Sequence, residues 1–326
     1  MPELTDKAVE FLLPSTQPEL VLPAGVTAED LSIRSEGLNN QQRRILRWTA
    51  SLQGVVERER WDLQRPGFQY ATFGFVPISG ELELPNGVVH YGGYVFGVAL
   101  ELEATSDNPF QQIESFSVGN ATLARVLNWR SMVPHIPPHP TYPSAGTGAC
   151  YAHSKKRAIA PAADGVLTAA HVVRGVTLGS AVSMSSSSGW AVGDRGSCKI
   201  DAALIVLAGC IPAKTTTLGV QYSPLPGMDI WFYGNRTGGI ITGKITHTQI
   251  HSTYLSDEHP MRVFFDQHGI AGDSGALVRE RATGDGVGIY MGSYPIPPVL
   301  GGSPVNEGGA QSLSQAKEVL QLDLYV

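Results

Sequence analysis

The spacing of apolar positions changes period once in the first third of the chain. Ile45, Leu46, Trp48, Leu52, Val55 and Val56 recur at helical intervals behind an asparagine able to act as N-cap, which predicts one amphipathic helix over about 40–59. The first 35 residues hold several prolines and little periodicity. From Phe68 the rhythm shortens to alternation through Tyr70, Thr72, Gly74 and Val76. It continues through Leu82, Leu84, the turn Pro85-Asn86-Gly87 and the Val-, Tyr- and Phe-rich run from Val88 to Leu102. This predicts a β-meander with an Asn-Gly hairpin. Residues 107–132 are mixed.

Prolines at 134, 137, 138, 140 and 143 forbid both helix and central strand, so residues 133–143 are expected to form an extended linker. His135 and His139 within it read as surface histidines rather than metal ligands. The predicted organisation is an α+β domain at 1–132, the linker, and a second domain at 144–326. That second part shows short Gly-bounded apolar strands at 147–152, 165–169, 181–184, 202–207, 228–233, 239–246, 261–265, 275–279 and 286–292, the pattern of a sandwich or barrel. Ser312 to Leu322 fits a terminal helix capped by Ser312 or Ser314.

Composition narrows the class. The 326 residues leave room for two domains, and 42% apolar with only 16% charged residues, 37 Gly and 22 Pro describe a mostly β, turn-rich globular chain. A net charge of −6 without a long basic run speaks against a nucleic-acid partner. No window approaches the roughly 20 consecutive apolar residues of a membrane helix, and the acidic start lacks the order of a secretory signal. The expectation is a cytoplasmic protein without a membrane partner, secretion by another route staying open. Cys150, Cys198 and Cys210 match no zinc or redox spacing and are expected to be reduced thiols, with room for one internal disulfide at most. The Ser-rich run from Ser183 to Ser188 reads as a solvated loop.

Three segments of the second part carry chemistry: Thr168-Ala169-Ala170-His171, Asp201-Ala202-Ala203-Leu204 and Gly272-Asp273-Ser274-Gly275. A serine hydroxyl is a poor nucleophile at neutral pH and needs a base. An imidazole, with an ordinary pKa near 6.5, can take its proton and return it to a leaving amine. Such a base, His171, needs an acceptor for its other nitrogen, the place for Asp201. Singly, each segment is as well read as a core histidine, a strand-edge aspartate or an ordinary turn; their joint order His, Asp, Ser, 30 and 73 residues apart, favours the functional reading.

These segments resemble the TAAH, DxAL and GDSG motifs of the chymotrypsin-like (trypsin-like) serine peptidases, over roughly residues 144–326; the first 140 residues resemble no family. The resemblance implies a double antiparallel β-barrel (about 144–212 and 222–311) with a C-terminal helix, preceded by the smaller α+β domain. It implies a catalytic trio of His171, Asp201 and Ser274, and an oxyanion hole made by the backbone N–H groups of Gly272 and Ser274. It also places the substrate pocket at 268–271 and 289–292, that is at His268, Ile289, Tyr290 and Met291. His268 stands where a trypsin-like specificity would put an aspartate, so a hydrogen bond to a polar P1 side chain such as Gln or Glu is expected instead. Trp231 to Gly238 with Thr242-Gly243-Lys244-Ile245 is similar to the G-x-R-T-G…T-x-G pattern of microbial members and is read as scaffold.

There are two departures. The cystine that animal relatives place beside the histidine is not expected, since Val172 and Val173 follow His171. No Ile/Val-Val-Gly-Gly activation sequence lies near 141–150, so Asp273 must be held by something other than a freed N-terminus. The expected function is a serine endopeptidase acting on protein or peptide, with no metal or organic cofactor. Its N-terminal domain is expected to bind a regulator or the peptidase domain itself. The alternative is a catalytically silent, peptidase-like binding module.

Overall fold

The predicted helix is present over the residues expected. α3 spans Asn40–Glu59, opened by a capping box in which Asn39 accepts from the Gln42 N–H while the Gln42 side chain accepts from the Asn39 N–H. The computed structural model describes residues 1–60, 62–80, 82–104, 109–134, 146–155, 163–174, 181–183, 188–192, 200–207, 211–212, 215–249, 260–297 and 305–326. Two short helices, α1 (Asp6–Leu12) and α2 (Ala28–Ser35), precede α3; both are capped by threonines and were not apparent from periodicity.

The first sheet strands are β1 (Phe68–Pro77), β2 (His90–Tyr91), β3 (Tyr94–Leu102), β4 (Phe110–Val118) and β5 (Ala121–Trp129). Their order, β1-β3-β5-β4, is not a simple meander, because β5 pairs with β3 in parallel and β4 lies outside it. Burial explains the choice. β5 is buried along most of its length and takes the inner place, whereas β4 alternates exposed and buried positions as an edge strand does. The tight hairpin turn falls at Gly92-Gly93 between β2 and β3, not at Asn86-Gly87, which forms a turn without flanking paired strands.

The rest of the chain builds two further antiparallel units. The strands β7 (Cys150–Ser154), β8 (Ala163–Thr168), β9 (Ala181–Ser183), β10 (Ser188–Val192) and β11 (Ala203–Leu207) form a six-stranded sheet with the C-terminal β18 (Leu322–Tyr325), in the order β18-β7-β8-β11-β10-β9. The strands β12 (Asp229–Gly234), β13 (Gly239–Thr248), β14 (Arg262–Phe265), β15 (Leu277–Glu280), β16 (Gly286–Ile296) and β17 (Val305–Ser312) run β12-β15-β16-β17-β14-β13 and close through β12–β13 into a six-stranded barrel. The terminal helix is α4, Leu313–Leu320, with Ser312 as its cap. The molecule is thus mostly β, with a closed barrel, a second antiparallel sheet and an α+β N-terminal part.

The N-terminal strands are continuous with the barrel. β1 pairs with β13 at Phe73↔Thr248 and Gly74↔His247, and Leu46 and Ala50 of α3 pack into the same apolar cluster as Phe232, Phe265 and Tyr290 of the barrel. A buried ionic cluster spans the seam. The Arg130 guanidinium donates to both oxygens of Glu101 (2.7 and 3.0 Å) and to Glu307 (2.5 Å), while His247 bonds Glu307 at 3.1 Å. Burial alone would lower the Arg130 pKa, but the two carboxylates more than reverse this and hold it above the ordinary value. The residues expected to form the linker begin as a strand, β6 (Val133–Pro134), paired with β16. His135, His139, Cys198, Cys210 and the middle of the serine-rich run lie outside the described residues; Cys150 is a buried free thiol.

Candidate active site

The pairing of β8 with β11 brings together residues 30 positions apart. Thr168 at the end of β8 faces Ala203 at the start of β11, so the segments just beyond these positions meet at one end of the sheet. There a single 3-10 turn, Ala170–Val173, presents His171, which is 5% exposed. Asp201 grips it twice: Oδ1 accepts the His171 backbone N–H at 2.9 Å, and Oδ2 accepts from Nδ1 at 2.5 Å. With Nδ1 donating, the neutral ring leaves Nε2 as its acceptor. Burial would raise the Asp201 carboxyl, but the hydrogen bond and charge of His171, with Arg262 nearby, bring it below the usual carboxylate value. The Asp201 N–H reaches across to Gln311 Oε1 of β17 at 3.3 Å, tying this corner to the barrel.

Ser274 sits in the turn that leads into β15. Its neighbour Asp273 is fully buried and accepts four hydrogen bonds. The Arg236 and Thr237 backbone N–H groups donate to Oδ1 (2.8 and 3.1 Å); the Thr237 hydroxyl and the Ile270 N–H donate to Oδ2 (2.5 and 2.9 Å). Desolvation pushes this carboxyl upward, yet the bonds from Thr237, Ile270 and Arg236 prevail and lower its pKa. The Gly-Asn-Arg-Thr-Gly hairpin read as scaffold is therefore the clamp on Asp273.

The glycines around the serine are required by geometry. Gly272 (φ +107°) and Gly275 (φ +97°) occupy backbone angles that favour glycine, and a Cβ on Gly275 would stand 1.9 Å from the Thr147 carbonyl oxygen. Thr147 joins the two units at this point. Its N–H donates to the Ser274 carbonyl (2.7 Å), its hydroxyl to the Gly272 carbonyl (2.9 Å), and its own carbonyl accepts from the Thr168 hydroxyl (2.8 Å), three residues before His171.

The serine hydroxyl donates to the Met291 carbonyl at 2.7 Å. That carbonyl is available because β16 bulges there: Tyr290 faces Ala310 and Gly292 faces Gly309, which leaves Met291 as the extra residue. His171 Nε2 is buried and has no hydrogen-bond partner among the described residues. Histidine and aspartate are joined, and the serine hydroxyl is turned to Met291 rather than to the ring.

The predicted pocket residues separate. His268 is exposed, with Nδ1 bonded to the Gly269 carbonyl (2.9 Å). The Ile289 side chain belongs to the core between the sheet and the barrel. Tyr290 is packed inside the barrel against Phe232, and its hydroxyl accepts the Gly269 N–H at 2.8 Å. Both side chains are core because β16 is buried on both faces along most of its length. Met291 meets the serine through its carbonyl. Sequence reasoning missed Thr147, Gln311 and the Met291 carbonyl; none carries a motif, and each acts through a bond that only the fold creates.

No protein-family profile matches the chain, and no curated protein does. Among solved structures, similar folds include the Nocardiopsis protease NAPase (18% identity over 56% of this chain and 91% of that one, TM-score 0.37). Thermobifida fusca protease A is similar at 17% identity over 59% and 97% (TM-score 0.39), and Cellulomonas bogoriensis chymotrypsin at 18% over 55% and 97% (TM-score 0.36).

Proposed function

We propose that the chain is a serine endopeptidase in which Ser274 is the nucleophile, His171 the base and Asp201 the group that orients the base. The observation that carries this reading is the pair of bonds from His171 to Asp201, which points the lone pair of a buried Nε2, without a partner among the described residues, away from the carboxylate. Ser274 Oγ attacks the carbonyl carbon of the scissile bond as its proton passes to Nε2. The imidazolium then protonates the leaving amine, the C–N bond breaks and an acyl-serine remains. Water, deprotonated by the same nitrogen, attacks that ester, releases the carboxylic acid and returns the proton to Oγ. The N–H groups of Gly272 and Ser274 face the developing oxyanion; in such sites each donor contributes about 10²–10³ in rate. The substrate is a protein or peptide, and His268, exposed beside the turn, receives a polar P1 side chain. The N-terminal part regulates access.

Hydrolysis of a peptide library tests the reading. Ser274→Ala should lower turnover by about 10⁵–10⁶, and a variant that retains the wild-type rate would refute it. The serine hydroxyl bonded to Met291 favours the second reading, a silent binding module; that reading requires the wild-type protein to leave every peptide intact while binding some of them.

A further inference from the structure

β16 has two edges. Along one, β17 pairs with it, including Gly292↔Gly309 and Ser293↔Gly308. Along the other lies β15, with Leu277 facing Ile289. That ladder runs on as Tyr290 N–H donates to the Ala276 carbonyl and Gly275 N–H to the Tyr290 carbonyl, and Ser274 then turns off with its hydroxyl on Met291. The next two residues of β16, Gly292 and Ser293, pair antiparallel with Pro134 and Val133 of β6. A ladder residue has two edges and β17 holds one, so β6 lies on the serine's side, immediately beyond Ser274.

A peptide whose carbonyl is to meet Ser274 arrives extended, and the backbone groups that would pair with its own are those of β16 at 291–293. Resting on the peptidase reading above, we infer that β6 is a self-inserted strand occupying this substrate edge, so that Val133–Pro134 keeps extended peptides out until it peels away. The cover is built to leave. It is two residues long, Pro134 has no N–H to donate, and Val133 is 48% exposed, so little burial holds it. Displacement also alters the serine. A peptide N–H arriving along this edge competes for the Met291 carbonyl and frees the Ser274 hydroxyl to turn to His171.

The test uses the full chain and two reagents: an internally quenched decapeptide that the wild type cleaves, and a small alkyl fluorophosphonate, which needs the reactive serine but no strand edge. Val133→Pro removes the last N–H donor of β6. It should raise kcat/KM for the decapeptide about fivefold, the equivalent of one net backbone hydrogen bond, and leave the phosphonylation rate unchanged. A Val133→Cys, Ser293→Cys pair provides the opposite sign: oxidation should suppress decapeptide hydrolysis at an unchanged phosphonylation rate, and reduction should restore it. Phosphonylation at Ser274 with decapeptide rates indifferent to both changes would overturn the inference alone. A wild type that is not phosphonylated at Ser274 would overturn the peptidase reading and this inference with it.

Discussion

The two units that supply the site hold their functional groups differently. In the closed barrel, the serine turn is over-determined: Asp273 accepts four bonds, two glycines take angles other residues avoid, and Thr147 pins the carbonyls on both sides of Asp273. In the sheet, His171 is held by one carboxylate, and its outer nitrogen meets no partner among the described residues. On the proposed peptidase reading, rigidity is placed where the oxyanion donors must be aimed before the reaction, since such donors act by preorganisation. On the same reading, the contact between His171 and Ser274 is left to be made when substrate displaces the hydroxyl from Met291.

The largest blow to this contrast should come on the histidine's side. Asp201→Asn keeps the shape but presents an amide that no longer demands the Nδ1–H tautomer, so kcat should fall about 10⁴-fold with the fold intact. A loss below tenfold, read with an unchanged circular dichroism spectrum, would show that the tautomer is set by something else.

On the barrel's side the effect should be one of stability. Thr237→Val removes the 2.5 Å hydroxyl bond to Asp273 and should destabilise the protein by about 1–2 kcal/mol at neutral pH in urea unfolding. Its pH dependence has a definite sign. The folded carboxyl of Asp273 has a lowered pKa, so its contribution is complete above the ordinary carboxylate range and disappears as pH falls through the folded value. The difference between wild type and variant should therefore shrink below about pH 4. A difference that grows on acidification would mean that Asp273 is protonated in the native state.

How much of this was legible beforehand depends on the kind of signal. α3 and most strands of the second part announce themselves by apolar period, and the His, Asp and Ser segments by their motifs. β17 does not: Val305–Ser312 has almost no apolar alternation and is buried because Glu307 and Gln311 are satisfied by Arg130 across the seam and by His247 and Arg262 within the barrel. The parallel place of β5 beside β3 was hidden because neighbours in sequence need not pair. The role of the Arg236-Thr237 hairpin was half visible, since the motif could be noticed but its target, Asp273, lies 36 residues on from Thr237. The bulge at Met291 and the bond of Thr147 to Ser274 are backbone events without side-chain signature. β6 was concealed by its proline, which rules out a central strand but permits two residues at an edge.

The central claim is that His171 activates Ser274, and labelling by a biotinylated fluorophosphonate, with the adduct mapped by mass spectrometry, tests it most directly. The account predicts one adduct, on Ser274, absent from Ser274→Ala and slowed by about 10³ or more in His171→Ala. Equal labelling of wild type and His171→Ala, or an adduct on another residue, would contradict it.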